Sequence, residues 1–156
     1  MSITYRAIEP ADDDFLLRVY ASTRAEELAL VPWDDAQREA FLKMQFAAQH
    51  HHYRERYPDA AYQIIFLNQH AIGRLYVARL DEELRIIDIT ILPEHRGGGV
   101  GTSIIKGLLD EAAAAGKAVR IYVESFNPSL RLFERLGFTK VDEHGVNFLT
   151  EWKRRK

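Results

Sequence analysis

At 156 residues the chain has room for one ordinary domain with its own core and not for two comfortable ones, so a single domain over residues 1–156 is expected. Apolar residues make up 47% and charged residues 28%, the balance of a soluble globular protein, and a formal charge of −2 supplies no global field toward nucleic acid or an anionic membrane. There is no cysteine, which removes disulfides, thiolate metal sites and a cysteine nucleophile.

The segment from Met1 to Glu9 lacks the apolar run of a signal peptide, and no apolar stretch reaches membrane-spanning length, which predicts a cytoplasmic protein without a membrane partner. Ile3, Tyr5 and Ala7 alternate with polar neighbours as in a short strand that ends at Glu9-Pro10. Asp12 to Asp14 are placed to cap a helix carrying Phe15, Leu16, Val19 and Tyr20 at helical spacing. Pro32-Trp33-Asp34 interrupts the chain, and Asp35 is the expected cap of a second helix through Phe41, Met44 and Phe46 to about Tyr57. His50-His51-His52 lies on that helix, where neighbours one and two apart do not share a face, so no metal site is expected.

From Tyr62 the periodicity changes to that of a meander. Gln63 to Leu67 reads as a strand, Asn68-Gln69-His70 as a tight turn, Ile72 to Leu80 as the antiparallel partner, and Asp81-Glu82-Glu83 as a second turn. Leu84 to Leu92 is the third strand; its apolar residues fall on both faces, which predicts a central strand covered on both sides. Pro93 ends it. A helix over Val100 to Ala115 follows, with Ile104, Ile105, Leu108, Leu109 and Ala112 as its buried stripe and Gly116 as its C-terminal cap. Val119 to Val123 forms a further strand, Pro128 to Leu136 a short helix, and Thr139 to Trp152 one or two closing antiparallel strands. The basic run Lys153 to Lys156 reads as a solvated terminus rather than a nucleic-acid contact.

Between Pro93 and the helix stand Arg96, Gly97, Gly98, Gly99, Val100, Gly101 and Thr102, with four glycines in five positions. A strand, a glycine-rich loop and a helix start bring backbone amides toward one point, and the helix dipole favours an anion there. Glycine removes the Cβ atoms that would hold a pyrophosphate away from the backbone. The dinucleotide fingerprint fails, because Thr102 and Ile104 stand where its third glycine belongs, and the phosphate loop of NTPases fails because no lysine follows Gly101.

Leu92-Pro93-Glu94-His95-Arg96-Gly97-Gly98-Gly99-Val100-Gly101 resembles motif A of the GNAT superfamily of N-acetyltransferases, with Arg96, Gly99 and Gly101 at the defining places. Asn127 followed by Phe133-Glu134-Arg135-Leu136-Gly137-Phe138 resembles that superfamily's second signature. The resemblance implies a three-layer α/β domain with a mixed, largely antiparallel sheet and helices on both faces, using acetyl-CoA and no metal. It implies that backbone groups of Ile89, Thr90 and Ile91 run beside the pantetheine and thioester, that Gly97 to Thr102 serve the pyrophosphate, and that Asn127 bonds the pantetheine region. Asn127 reads equally well as a helix cap ahead of Pro128. Where the family commonly has a tyrosine that protonates the departing thiolate, this chain has Phe133.

Acetyl transfer to an amine requires a proton acceptor, because an amine of ordinary pKa is almost wholly charged at neutral pH. Asp88, two residues before Thr90 on the same strand face, is the first candidate base; an acid in an apolar strand is equally well explained as a partner for Arg74 or Arg85. Tyr122 and Glu124, together on one face of the next strand, are the reserve candidates. Without a cysteine nucleophile, direct transfer in a ternary complex is expected, to a primary amine of a small molecule. A peptide or protein amine and a non-catalytic acyl-CoA sensor are the alternatives. The superfamily also admits a homodimer.

Overall fold

The computed structural model describes residues 2–154; Met1 and the last two residues of the basic run, Arg155 and Lys156, lie outside the described residues. The elements are β1 (Ile3–Ala7), a 3-10 turn (Pro10–Asp12), α1 (Asp13–Ala29), α2 (Asp35–Arg56), β2 (Ala61–Leu67), β3 (His70–Arg79), β4 (Glu83–Ile91), a second 3-10 turn (Pro93–His95), α3 (Val100–Ala115), β5 (Ala118–Glu124), α4 (Ser129–Arg135), β6 (Thr139–His144) and β7 (Asn147–Trp152). The strands form a sheet in the order β1-β2-β3-β4-β5-β7-β6, giving the mixed α/β class with a mostly antiparallel sheet. The chain divides into two compact units, residues 2–76 with 88–98, and residues 77–87 with 99–154.

In the first unit β1 pairs antiparallel with β2, from Ile3↔Leu67 to Ala7↔Gln63. The turn from β2 to β3 has positive φ at both Asn68 (49°) and Gln69 (73°), the primed turn whose twist matches two-residue hairpins. The core joins Leu16, Val19 and Tyr20 of α1 to Tyr62, Ile64 and Ile65 of β2 and Ile72, Leu75 and Tyr76 of β3, all buried. Each such aliphatic side chain contributes roughly 1.5–3 kcal/mol on leaving water.

Asp12 stands at the N-cap of α1 within the expected run, but its carboxylate serves other donors. Asp12 receives the Glu9 amide at 2.7 Å and the Arg6 guanidinium at 2.9 and 3.0 Å, so it closes the 3-10 turn, and α1 follows that turn without a side-chain cap. For α2 the cap is Asp34, not Asp35. Its carboxylate accepts from the Gln37 amide at 2.8 Å, and Gln37 Oε1 accepts from the Asp34 amide at 2.9 Å, a reciprocal capping box. Asp35 is already helical.

The strand covered along its length is β3, buried continuously from Ile72 to Ala78. On β4 only Leu84 and Ile86 are fully buried, while Ile87 to Ile91 remain partly accessible. Apolar residues on both faces therefore marked a central strand correctly, but not the extent of its cover.

In the second unit β5 pairs parallel with β4 from Glu83↔Ala118 to Ile86↔Ile121, and antiparallel with β7 from Val119↔Trp152 to Glu124↔Asn147. β6 pairs antiparallel with β7. α3 packs against β5 through Val100, Ile104, Ile105, Leu108, Leu109 and Ala112, and ends at Gly116 with the Lys117 amide donating to the Ala112 carbonyl at 2.8 Å. Among the described residues no helix is long and apolar enough to cross a membrane.

Candidate active site

The glycine segment begins where Arg96 folds back, its Nε donating to the Ile91 carbonyl at 2.9 Å and bracing the turn that leaves β4. Gly97 and Gly99 then adopt φ of +85° and +81°, a conformation that costs an L residue about 1–2 kcal/mol. A Cβ built on Gly97, Gly98 or Gly99 meets nothing within 4 Å, so these positions face open space rather than packed protein. The absence of side chains there is therefore explained by backbone conformation and by what must approach, not by crowding.

Gly99 is the N-cap of α3 and supplies no side chain to it. The Ser103 amide donates to the Gly99 carbonyl at 3.0 Å, so Val100, Gly101 and Thr102 present the amides that precede the first intrahelical bond. The first turn of α3 carries no acidic residue, which leaves the positive end of the helix dipole uncompensated by the chain. This segment fits a diphosphate: glycine backbone, unsatisfied helix amides and an accessible approach.

Upstream of it, in the first unit, Asp88 lies at the centre of a hydrogen-bond cluster. Arg74 Nε donates to Oδ1 at 3.2 Å and Arg74 Nη2 to Oδ2 at 2.8 Å; Thr90 Oγ1 donates to Oδ1 at 2.7 Å and the Tyr53 hydroxyl to Oδ2 at 3.4 Å. Arg74 Nη2 also reaches Gln49 Oε1 at 2.9 Å. The Arg74 side chain is 2% exposed and that of Asp88 12%. Burial opposes the arginine's charge, but the adjacent carboxylate outweighs it and holds the guanidinium pKa above its usual value. Burial, reinforced by the Asp88 charge, raises the pKa of Tyr53, so its hydroxyl stays a donor at neutral pH.

Of the two roles the residues offer Asp88, this geometry displays the structural pairing. Both carboxylate oxygens already accept two donors, and taking up a proton would break a buried bidentate pair. The pairing with Arg74 is the alternative that the residues themselves offered. Arg85 lies elsewhere, with its Nε on Glu83 at 3.1 Å and its guanidinium 5.5 Å from the Tyr122 ring centroid.

Gln49, Tyr53 and Gly73 belong to the same cluster, and of these Gln49 and Gly73 were not singled out from the sequence. A Cβ on Gly73 would lie 2.1 Å from the Thr90 carbonyl oxygen and 3.0 Å from Ile91 Cα. Glycine is thus what lets β3 press against the end of β4. The other end of this support is α2, whose last turn is tied to β2: the Tyr62 hydroxyl lies 2.9 Å from the Tyr53 carbonyl and 2.7 Å from that of Tyr57.

In the second unit, Tyr122 and Glu124 occupy the exposed face of β5, with Tyr122 43% exposed and its ring 6.1 Å from that of His144. Glu124 makes no ion pair among the described residues, and its carbonyl accepts the Asn127 amide at 2.9 Å. Asn127 Oδ1 accepts the Ser129 amide at 2.9 Å, so its side chain acts as a cap at the start of α4. Phe133 is 3% exposed and packs edge-to-face on Phe138 with centroids 5.2 Å apart, which makes its ring a core element of α4. His50 turns toward Phe46 and Tyr62, whereas His51 and His52 are exposed; among the described residues no group of three potential ligands stands close enough to hold a metal.

The profile of the Acetyltransferase (GNAT) family matches residues 22–138, and the chain belongs to that family. No curated protein matches it. Among solved structures it is similar to PaiA N-acetyltransferase from Thermoplasma acidophilum in complex with coenzyme A, at 17% identity and TM-score 0.71, covering 99% of this chain and 100% of that one. It is also similar to an acetyltransferase from Thermus thermophilus, at 20% identity and TM-score 0.65, with 99% and 97% covered. A third, Arabidopsis thaliana Naa50 in complex with a bisubstrate analogue, gives 13% identity and TM-score 0.60, with 99% and 100% covered. At these identities the likenesses show a shared fold.

Proposed function

We propose that this protein transfers an acetyl group from acetyl-CoA to a primary amine of a small molecule, directly and without an acyl-enzyme. The observation that carries the proposal is the glycine segment. Gly97 and Gly99 are left-handed, the space in front of them is open, and the amides of Val100, Gly101 and Thr102 precede the first helical bond. Family membership supports reading the anion as the diphosphate of coenzyme A.

Acetyl-CoA supplies an activated acetyl thioester. Arg96 and the backbone from Gly97 to Thr102 hold the diphosphate end, and the partly accessible stretch Ile89 to Ile91 offers peptide groups to the pantetheine arm and the thioester carbonyl. In the net reaction the amine nitrogen forms a bond to the acetyl carbon, the carbon–sulfur bond breaks, and the amine proton must leave. Asp88 is saturated with donors, so the reading assigns proton removal to Glu124, an exposed carboxylate without an ion-pair partner among the described residues, with Tyr122 beside it. No cysteine competes as a nucleophile.

The absence of a hydroxyl at the buried Phe133 favours a second reading, a protein that binds acyl-CoA without turning it over. A panel of small primary amines, peptide N-termini and lysine peptides, assayed for free thiol release from acetyl-CoA, separates the two. Turnover strongest with a small amine supports the proposal. Turnover confined to peptides overturns the acceptor class, and no turnover with any amine despite tight acetyl-CoA binding establishes the sensor.

A further inference from the structure

We infer that Arg74 and Asp88, together with Gln49 and Tyr53 of α2 and Thr90 of β4, form a clamp that positions the end of β4 for acetyl-CoA. The inference rests on the acetyl-CoA reading above and assigns to this cluster a role that is neither proton transfer nor general core stability.

Three observations carry it. First, the cluster is placed at the start of the stretch Ile89 to Ile91, and Thr90, in the middle of that stretch, is tied through its side chain and crowded at its carbonyl. Its hydroxyl donates to Asp88 Oδ1 at 2.7 Å, and its carbonyl lies where a Cβ on Gly73 would be only 2.1 Å away. With its side chain tied to Asp88 and its carbonyl lying close against Gly73, Thr90 has restricted room for its peptide planes to rotate. A strand whose backbone groups must meet a cofactor gains from that restriction, because the ordering cost is met in folding rather than on binding.

Second, the pair is more costly than a core of the same volume would require. A guanidinium with 2% side-chain exposure bound to a carboxylate with 12% exposure must recover a large desolvation penalty. Apolar residues would fill this space at lower cost, but they could not present oriented donors and acceptors. Arg74 uses Nη2 on both Asp88 Oδ2 and Gln49 Oε1, while Tyr53 donates to Asp88 Oδ2, so α2 is joined to β3 and β4 by directional bonds.

Third, α2 needs such an attachment. Although 22 residues long, it has no fully buried residue, so apolar burial alone fixes its position less firmly than that of α1. The clamp therefore joins a lightly packed helix to the strand end that the cofactor would follow, and Arg74 and Asp88 act as positioning residues.

The test compares wild type with Asp88→Asn, Thr90→Val and the double variant Arg74→Gln/Asp88→Asn, measuring acetyl-CoA affinity by calorimetric titration and melting temperature by circular dichroism. Asp88→Asn strands the Arg74 charge and should weaken acetyl-CoA binding by about tenfold or more. The double variant replaces the ion pair with a neutral hydrogen-bonded pair and should restore affinity to within about threefold of wild type. Thr90→Val removes only the hydroxyl and should weaken binding by roughly threefold to tenfold with little change in melting temperature, which keeps the test decisive if Asp88→Asn does not fold.

Variants that melt earlier yet bind acetyl-CoA as wild type does would show the cluster to be only a fold element and overturn the inference. With an amine found to be acetylated, loss of a pH limb in Asp88→Asn that the double variant does not restore would make Asp88 the base, also overturning it. Wild-type protein that binds no acetyl-CoA would remove the cofactor assignment itself, a failure distinct from wild type that binds while the variants bind equally well.

Discussion

Gly99 and Gly73 are glycines for different reasons, and substitution separates them. At Gly99, φ is +81° and a Cβ meets nothing, so Gly99→Ala should cost only backbone strain, about 1 kcal/mol, read as a melting point lower by a few degrees. At Gly73 the added Cβ strikes the Thr90 carbonyl at 2.1 Å and the backbone must move. Gly73→Ala should therefore cost about 1–3 kcal/mol in chemical denaturation and weaken acetyl-CoA binding as well. Glu124→Gln should leave that affinity unchanged and slow transfer to an active amine by about a hundredfold or more if Glu124 removes the proton; an unchanged rate would exclude it. At this scale the sequence was partly legible. An acid in an apolar strand must have a partner, and Arg74 was one of two candidates. Gln49 could not be found, because a polar residue on a helix does not reveal which strand it will face. Nothing around Gly73 marks the approach of Thr90 from seventeen residues away either.

At the scale of elements, the hairpin turn at Asn68-Gln69 and the span of α3 follow from local chemistry and appear where the residues place them. Caps were harder to locate, since runs such as Asp12 to Asp14 and Asp34-Asp35 offer several equivalent carboxylates and tertiary partners such as Arg6 choose among them. α2 also carries a titration that should affect stability. Burial lowers the pKa of His50, assisted by the charges of Arg54 and Arg74 and opposed by Asp13. The folded state thus prefers the neutral ring, and the associated stability is fully present above the unfolded value of about 6.5. It is lost as pH falls through the lowered folded value. Urea midpoints should fall on acidification from about pH 7.5 toward pH 5, and His50→Gln should reduce that dependence. The Asp12 carboxyl, held low chiefly by its hydrogen bond to Arg6, gives its own loss only below about pH 4, so the two windows stay apart.

For the whole molecule, the resemblance carried by the two motifs led to the family and the mixed sheet, because such motifs are written locally. The final order β5-β7-β6 was not legible, since local alternation identifies strands but not which partner each will choose. If the glycine segment holds the cofactor, ligand binding must stabilise the fold, by about 2.7 kcal/mol at a hundred times the dissociation constant, and the melting temperature should rise by several degrees. The central claim is tested most directly by calorimetric titration of acetyl-CoA into wild type and Gly99→Glu, with NAD and ATP as controls. Saturable binding of acetyl-CoA at micromolar to millimolar concentration, weaker binding of both nucleotides, and loss of acetyl-CoA binding in a folded Gly99→Glu protein are the predicted results. Absence of acetyl-CoA binding to wild type, or undiminished binding to Gly99→Glu, would contradict the account.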